Sequence, residues 1–478
     1  MFIKFYGSIN ELQKEVDSFC KENGYCIEIE KTKITINEYS FMIKEGNYEF
    51  RTYSVPKIQN RIYYIKSLCK VKDIKIEKFF NNLALSYSEL EQETVWNDMP
   101  ILQDMVRNYK NEMRNVAIIF RDHFLEDNMA LMRAFEECGV SPEDILIFDK
   151  GDKTRMQLEI HNTFTQRGYI VDLLDNAVID DCKMMKKYQE KIEKFCLDRI
   201  DKKVIIMDDG AIVTKLLQKN VIPNVTGIVE LTEMGIRRIR QTEVSKDYII
   251  LNAAKTQLKR SITYSEIANS IFKRIIELLY GTKLVGRTIM IMGYGDLGSI
   301  LAERFRSWGV NVIIYDVDIL KLIVAAEKGF KTYDDPMIAA KKERIFMIIG
   351  SSGYRSIDKK LLESIEDDLI VTAGATADTL VLNELPYDEW YIIENYGVQI
   401  HIKNKMITRL GNGRSINLFL SESIPNQAND IFKAANFLCA ILLIKKVMSN
   451  GIHIECVDEF LSESGVYNLY YNKYLRQN

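Results

Sequence analysis

The chain has 478 residues, 47% apolar and 27% charged, with 64 Lys+Arg against 67 Asp+Glu. Such a length suits about three globular domains of roughly 150 residues, and such a composition excludes disorder. A net charge of −3 gives no general attraction to nucleic acid or anionic membrane.

No run approaches the ~18 uncharged apolar residues of a spanning helix, and the N-terminus reaches acidic residues too early for a secretion signal. A cytoplasmic protein without membrane partners is expected. The basic stretches MGIRRIRQ and AAKTQLKR are short and flanked by acids, so they read as solvated faces and no nucleic-acid partner is expected. The eight cysteines lack any C-x-x-C and the four histidines stand far apart. Neither a disulfide framework nor a metal site is expected, and the thiols read as small core hydrophobes.

Residues 1–90 read as a separate α+β unit. Leu12, Val16 and Phe19 predict a helix over Ile9–Asn23. The alternating runs CIEIE, KITINEY, FMIKE, YEFRTYSV and RIYYIK predict half-buried strands. No catalytic constellation falls there. Such a sheet is either a binding module for a protein or peptide partner or a structural extension.

From Glu91 the pattern becomes strands alternating with helices, the mark of a parallel sheet covered on both faces. NVAIIF (115–120), DILIFD (144–149), YIVDLL (169–174) and VIIMDDG (204–210) are strands. His123 and Asp208/Asp209 fall at strand carboxyl ends, where ligands sit in open α/β sheets. Taken alone, each reads first as a cap or loop residue.

After an amphipathic helix at 265–280 comes the strongest local motif. A strand, Thr288–Met292, runs into Gly293-Tyr-Gly295-Asp296-Leu297-Gly298, then a helix, then a second strand ending at Asp316. Gly293 permits the tight turn, Gly295 lets the backbone approach a pyrophosphate, and Gly298 lets helix and strand pack closely. Asp316 is placed to accept hydrogen bonds from the adenosine ribose, which favours NAD over NADP. RIFMIIGSSG (344–353) and DLIVTAGATAD (368–378) continue the sheet, a hairpin follows within 396–418, and Ile431–Met448 is a long apolar helix expected between domains.

At this point the chain resembles the S-adenosyl-L-homocysteine hydrolase family, over about Glu91 to Gly465. VWNDMPILQDM, VIIMDDGAIVT, TGIVELTEMGIRR, GYGDLG with YDVD, and GNGRSINL stand in the family's order. The resemblance implies a substrate domain (91–260, completed by 426–448), a Rossmann-type doubly wound NAD domain (261–425) and a C-terminal tail (449–478). It implies NAD that takes a hydride from a ribose carbon and later returns it, and a homo-oligomer, dimer or tetramer.

Residue by residue, the resemblance assigns His123 as the active-site histidine and Asp209 as the substrate-pocket aspartate. Lys255 is the lysine that takes a hydroxyl proton when the segment is anchored on FKR (272–274); an ungapped alignment places Lys259 there. Thr232, Gly293, Gly295, Asp296, Leu297, Gly298, Asp316 and Asn417 are cofactor positions. The sequence ends at YYNKYLRQN without the family's longer tail, whose lysine and tyrosine reach a neighbouring protomer's cofactor; Lys473 and Tyr474 are the residues there that could imitate them.

The departures are specific. Of the family's two adjacent glutamates, the second is Leu231, and the second and third threonines of its loop are Glu233 and Met234. The aspartate and asparagine after the lysine read Lys259 and Arg260. A histidine after Val371 is replaced by Thr376 or a neighbour, and Gly-His-Pro is Ser423-Ile424-Pro425. Positioned acid–base groups are each worth about 10²–10⁴-fold, so these losses argue against standard S-adenosylhomocysteine hydrolysis. The expected function is NAD-dependent oxidation, transient or net, of a hydroxyl on a nucleoside- or sugar-like small molecule. The alternative is a catalytically silent NAD- or nucleoside-binding relative, acting as a sensor or as one partner in a complex.

Overall fold

A computed structural model describes residues 2–6, 8–30, 32–47, 61–217, 221–354, 356–374, 390–402, 404–411 and 413–476. All of YEFRTYSV (48–55), the segment around Thr376 and Asn412 lie outside the described residues. The fold is mixed α/β with three sheets, as the periodicities predict.

The first sheet is antiparallel. Its strands run in the spatial order Phe2–Tyr6, Arg61–Ser67, Tyr39–Asn47, Lys33–Ile36, Ile27–Ile29. Helices Ile9–Asn23 and Ile74–Leu83 share its core, which Leu12, Val16, Phe41 and Phe80 fill. Ser8 opens the first helix in a capping box with Glu11, and Gly24 closes it in the left-handed conformation, so local chemistry alone delimits that helix. Lys4 ties this unit to the next through Glu159 at 2.8 Å.

The second sheet has seven parallel strands, in the order Gly451–His453, Ile249–Asn252, Val225–Glu230, Lys203–Asp208, Val116–Asp122, Ile145–Asp149, Ile170–Leu173. Every residue of Val116–Asp122 and Ile145–Asp149 is buried, which is why these strands read as continuous apolar runs. The helix Asn426–Lys445 is apolar and long enough to cross a membrane, but most of it is buried, in one core with Leu102, Met105 and Leu131. The C-terminal tail, as far as residue 476, packs on the second sheet and its core. Gly451–His453 pairs with Ile249–Asn252, and Val457, Leu461 and Val466 join the core.

The third sheet has the order Lys331–Tyr333, Asn311–Tyr315, Thr288–Met292, Ile345–Gly350, Leu369–Ala373, Lys405–Leu410, Gly397–Ile402, Trp390–Ile393. The first six strands are parallel, and Gly397–Ile402 pairs antiparallel with both Lys405–Leu410 and Trp390–Ile393. Numbered along the chain, the parallel strands run 3-2-1-4-5-6, the doubly wound dinucleotide-binding topology.

Both parallel sheets reverse their winding beside their first strand. One switch point lies between Val116–Asp122 and Lys203–Asp208, the other between Thr288–Met292 and Ile345–Gly350. Gly298 makes the second possible. A methyl group built there would stand 1.9 Å from the Gly293 carbonyl oxygen. Gly298→Ala should therefore cost about 1–3 kcal/mol of stability, read by urea denaturation, and should displace the loop it supports.

Where the chain returns from the third sheet to the second, carboxyl groups crowd together. Burial pushes the Glu126 carboxyl up to about 7, with Asp127 and Asp98 adding to the shift and the Tyr87 hydroxyl and Asn426 amide opposing it. Glu422 is pushed well above its usual range by burial and by Glu126. The folded chain thus holds the Glu126 proton more tightly than the unfolded chain, whose value is near 4.5. The cost of ionising it is absent below that value and grows as pH rises toward about 7. Glu126→Gln should gain stability relative to the parent as pH goes from about 5 to about 8, measured by denaturant midpoints at each pH.

Candidate active site

A cavity of about 460 Å³ separates the two parallel sheets, and both switch points open into it. From the second sheet come Asp122, His123, Lys150, Asp152, Asp209 and Lys259; from the third come Gly295, Asp316 and Ser351.

The floor on the substrate side is a buried charge network. Arg121 is fully buried at the end of its strand. Its guanidinium donates to the Leu174 carbonyl at 2.9 Å, the Asn176 side chain at 2.8 Å and the Asp209 carbonyl, and lies 3.8 Å from Asp208. Glu230 accepts hydrogen bonds from Gly210 N, Thr232 N and the Thr232 hydroxyl at 3.0, 2.8 and 2.7 Å. Burial and the nearby Asp208 and Asp209 push its carboxyl well above the usual range.

Above this floor, His123 Nδ1 pairs with Asp152. Its Nε2 lies 3.3 Å from the Lys150 ammonium and 3.7 Å from Asp209, and Lys150 also pairs with Asp209. Burial opposes ionisation of Asp152 and Asp209. The charges of His123 and Lys150 outweigh that cost, helped at Asp152 by Arg414, and hold both carboxyls well below the usual range. Asp122, His123 and Asp209 bring ligand atoms within 4.8 Å of one another. Lys150 and Lys433 already pair with those carboxylates, so the trio reads as an ion-pair network.

The two candidate lysines point to different places. Lys255 is part-exposed, with its Nζ 3.8 Å from Glu233 and 3.8 Å from Asp296. Lys259 is buried, donates to the Leu231 carbonyl at 2.5 Å and lies 4.6 Å from the Phe432 ring. Among the described residues no carboxylate lies within 4 Å of it. Burial lowers its pKa, against the pull of Asp209, Asp122 and Glu230.

The cofactor side fits a dinucleotide. The helix Asp296–Ser307 starts at Gly295 with no side-chain cap, and a Cβ built on Gly295 meets no atom within 4 Å. Its first N–H groups are therefore free for an anion. Asp316 is held by Tyr294 N at 2.7 Å and Asp318 N at 2.9 Å, its carboxylate at the cavity edge. Asn417 is fixed between the Ser415 and Ser423 hydroxyls. Thr232 caps the helix Glu233–Arg240 through Gly235 N at 3.1 Å. Leu297 lines the same mouth.

Residue by residue, every expected substrate or cofactor position from His123 to Asn417 lines this one cavity, except Gly298, which sits behind the loop. Sequence reasoning missed Lys150, Asp152 and the reach of Arg414. Arg414 leaves the third sheet's side and donates to the Lys150 carbonyl at 2.8 Å, to Asp152 at 3.2 Å and to Asp175. The acid-rich end of the second strand, Asp149-Lys150-Gly151-Asp152, was the available signal. Tyr474, the candidate for reaching a neighbour's cofactor, instead donates to Asp430 of its own chain at 2.9 Å.

Residues 268–423 match the family description "S-adenosyl-L-homocysteine hydrolase, NAD binding domain". The S-inosyl-L-homocysteine hydrolase of Methanopyrus kandleri is 26% identical over 290 residues, 56% of this chain and 65% of that protein. An adenosylhomocysteinase of Thermotoga maritima is 24% identical over 54% of this chain and 65% of that one. Another, from Saccharolobus solfataricus, is 24% identical over 79% of this chain and 87% of its own length. The chain thus spans just under two thirds of the first two relatives. A dipicolinate synthase structure from Bacillus halodurans aligns over 70% of this chain and 99% of its own, at a TM-score of 0.41 and 10% identity. Residues 268–423 thus carry an NAD-binding domain similar to that of S-adenosyl-L-homocysteine hydrolases, the chain as a whole is similar to proteins of that name, and its cofactor is NAD.

Arg414 bridges the two halves of the site. Arg414→Ala should weaken closure by about 1.5–3 kcal/mol, the worth of a charge-assisted hydrogen bond, and raise the radius of gyration measured by small-angle scattering. An unchanged radius would show that other contacts hold the halves together.

Proposed function

We propose that this protein is an NAD-dependent enzyme that transiently oxidises a hydroxyl of a nucleoside- or sugar-like substrate. One observation carries the reading. A buried amine, Lys259, with no carboxylate at pairing distance among the described residues, shares one cavity with the His123–Asp152 pair and a dinucleotide cradle. Bound NAD supplies a hydride acceptor. The remaining tasks fall to the chain. Lys259, its pKa lowered by burial, accepts the hydroxyl proton. Asp152 fixes the His123 ring so that Nε2 faces the substrate space, where it can move a second proton. Asp209 holds Lys150 beside that nitrogen. Lys255, expected as the base under one alignment, stands nearer the glycine-rich loop.

Leu231 replaces a carboxylate that would grip substrate hydroxyls, which disfavours standard S-adenosylhomocysteine hydrolysis. The same residue is what supports the second reading, a silent relative that closes on a ligand without chemistry. Either form suits a homo-oligomer. The helix Ile319–Glu327 exposes Ile319, Leu320, Ile323 and Val324, an apolar face that self-association would cover.

Protein as purified, once denatured, should release NAD, identified by mass spectrometry. Supplying a nucleoside panel should raise the NADH absorbance band in the parent. Lys259→Ala should lose about 10²–10⁴-fold in that rate while retaining NAD. An unaltered rate sinks the base assignment. Closure without any NADH signal in the parent supports the silent reading.

A further inference from the structure

We propose that Lys255 and Arg260, from the substrate side of the cavity, bind the diphosphate of the cofactor. They would not act on the substrate, and they would make domain closure part of cofactor capture. The inference rests on NAD occupying the glycine-rich loop, but not on any reaction carried out there.

The chain enters this region from the strand Ile249–Asn252 through a short turn, Ala253–Lys255, and then a π-helical turn, Lys259–Thr263. The two lysines part company across this stretch. Lys259 turns inward to the Leu231 carbonyl. Lys255 and Arg260 reach toward the other domain, where Asp296 opens the helix behind the glycine-rich loop. Lys255 Nζ stands 3.8 Å from that carboxylate and Arg260 Nε 3.3 Å.

Lys255 sits loosely between two acids, Asp296 and Glu233, each 3.8 Å away. These are longer than hydrogen bonds, so the three ammonium donors stay available. Beside it lie the uncapped N–H groups after Gly295 and the open space a Cβ would not fill. A diphosphate seated on that helix start adds two negative charges near Asp296 and Glu233. Without added cations, like-charge repulsion would offset the attraction of the helix end. Lys255, which lines the cavity, and Arg260, just outside its lining at 3.3 Å from Asp296, add positive charge from the opposite domain, while Arg237 pairs with Glu233 at 3.7 Å.

The test uses the full chain, stripped of bound nucleotide, with ADP-ribose as the probe in titration calorimetry. Lys255→Gln and Arg260→Gln should each weaken binding about tenfold and flatten its salt dependence. Lys255→Arg, which keeps the charge, should restore most of the affinity. Arg260 is more than half exposed, so its variant keeps the test independent of folding. Variants that bind ADP-ribose like the parent at every salt concentration overturn the inference. So does a Lys255→Arg variant as weak as Lys255→Gln. A parent that binds neither ADP-ribose nor NAD overturns the cofactor reading itself, and this inference with it.

Discussion

One buried guanidinium holds the substrate side of this site in place. Arg121 ties together the ends of three strands, through the carbonyls of Leu174 and Asp209 and the Asn176 side chain, and sits beside the fully buried Asp208. Taking a charge out of water costs several kcal/mol, and removing one partner of such a pair leaves the other uncompensated. The arrangement is therefore all-or-none. With Arg121 present, Asp209 is presented upward with its backbone fixed, and its carboxylate can orient Lys150 beside His123. Without it, Asp208 and Glu230 would share a dry pocket with no cation beneath them.

The same matching of charge distinguishes the lysines of the cavity. Lys150 is matched by Asp209, Lys433 by Asp122 and Asp127, and Lys321 by Asp316 at 3.7 Å. A matched ammonium keeps its proton and orients its partner. Lys259 alone among them, within the described residues, lacks a carboxylate at pairing distance, and burial works against its charge. That is the condition under which a lysine can act as a base rather than as an anchor.

Much of this was legible in the sequence, and what was not has a common cause. The glycine-rich fingerprint is local: strand, turn, helix and acid lie within the 29 residues from Thr288 to Asp316, and each glycine answers a steric demand of its immediate neighbours. The strand ends carrying His123 and Asp209 were legible because buried parallel strands are continuous apolar runs. Short strands were not. Ile249–Asn252 and Gly451–His453 have four and three residues, too few for a periodicity, and they are strands because of the partners they meet. Arg414 lay in a recognised motif, but its acceptors are 239 to 264 residues away in the chain. No local pattern encodes that distance. Nor could alignment settle between Lys255 and Lys259, because the π-helical turn that separates their directions is a product of packing.

The departure at Leu231 bears on chemistry in two ways at once. A carboxylate at that position would grip substrate hydroxyls, and it would also stand close to the ammonium that now donates to the Leu231 backbone. By Coulomb's law such a neighbour would favour the charged amine. An apolar side chain, 2% exposed, instead adds to the desolvation that lowers it. Under the proposed function, the apolar residue gives up a hold on the substrate and favours the neutral form of the amine proposed to accept a proton. A chain that had lost its chemistry altogether would be under no such constraint: a permanently charged lysine, paired as Lys433 is, would pack this pocket with less cost. Among the described residues Lys259 has only the Leu231 carbonyl and no carboxylate at pairing distance, a desolvation cost that fits the base proposed opposite a hydride acceptor.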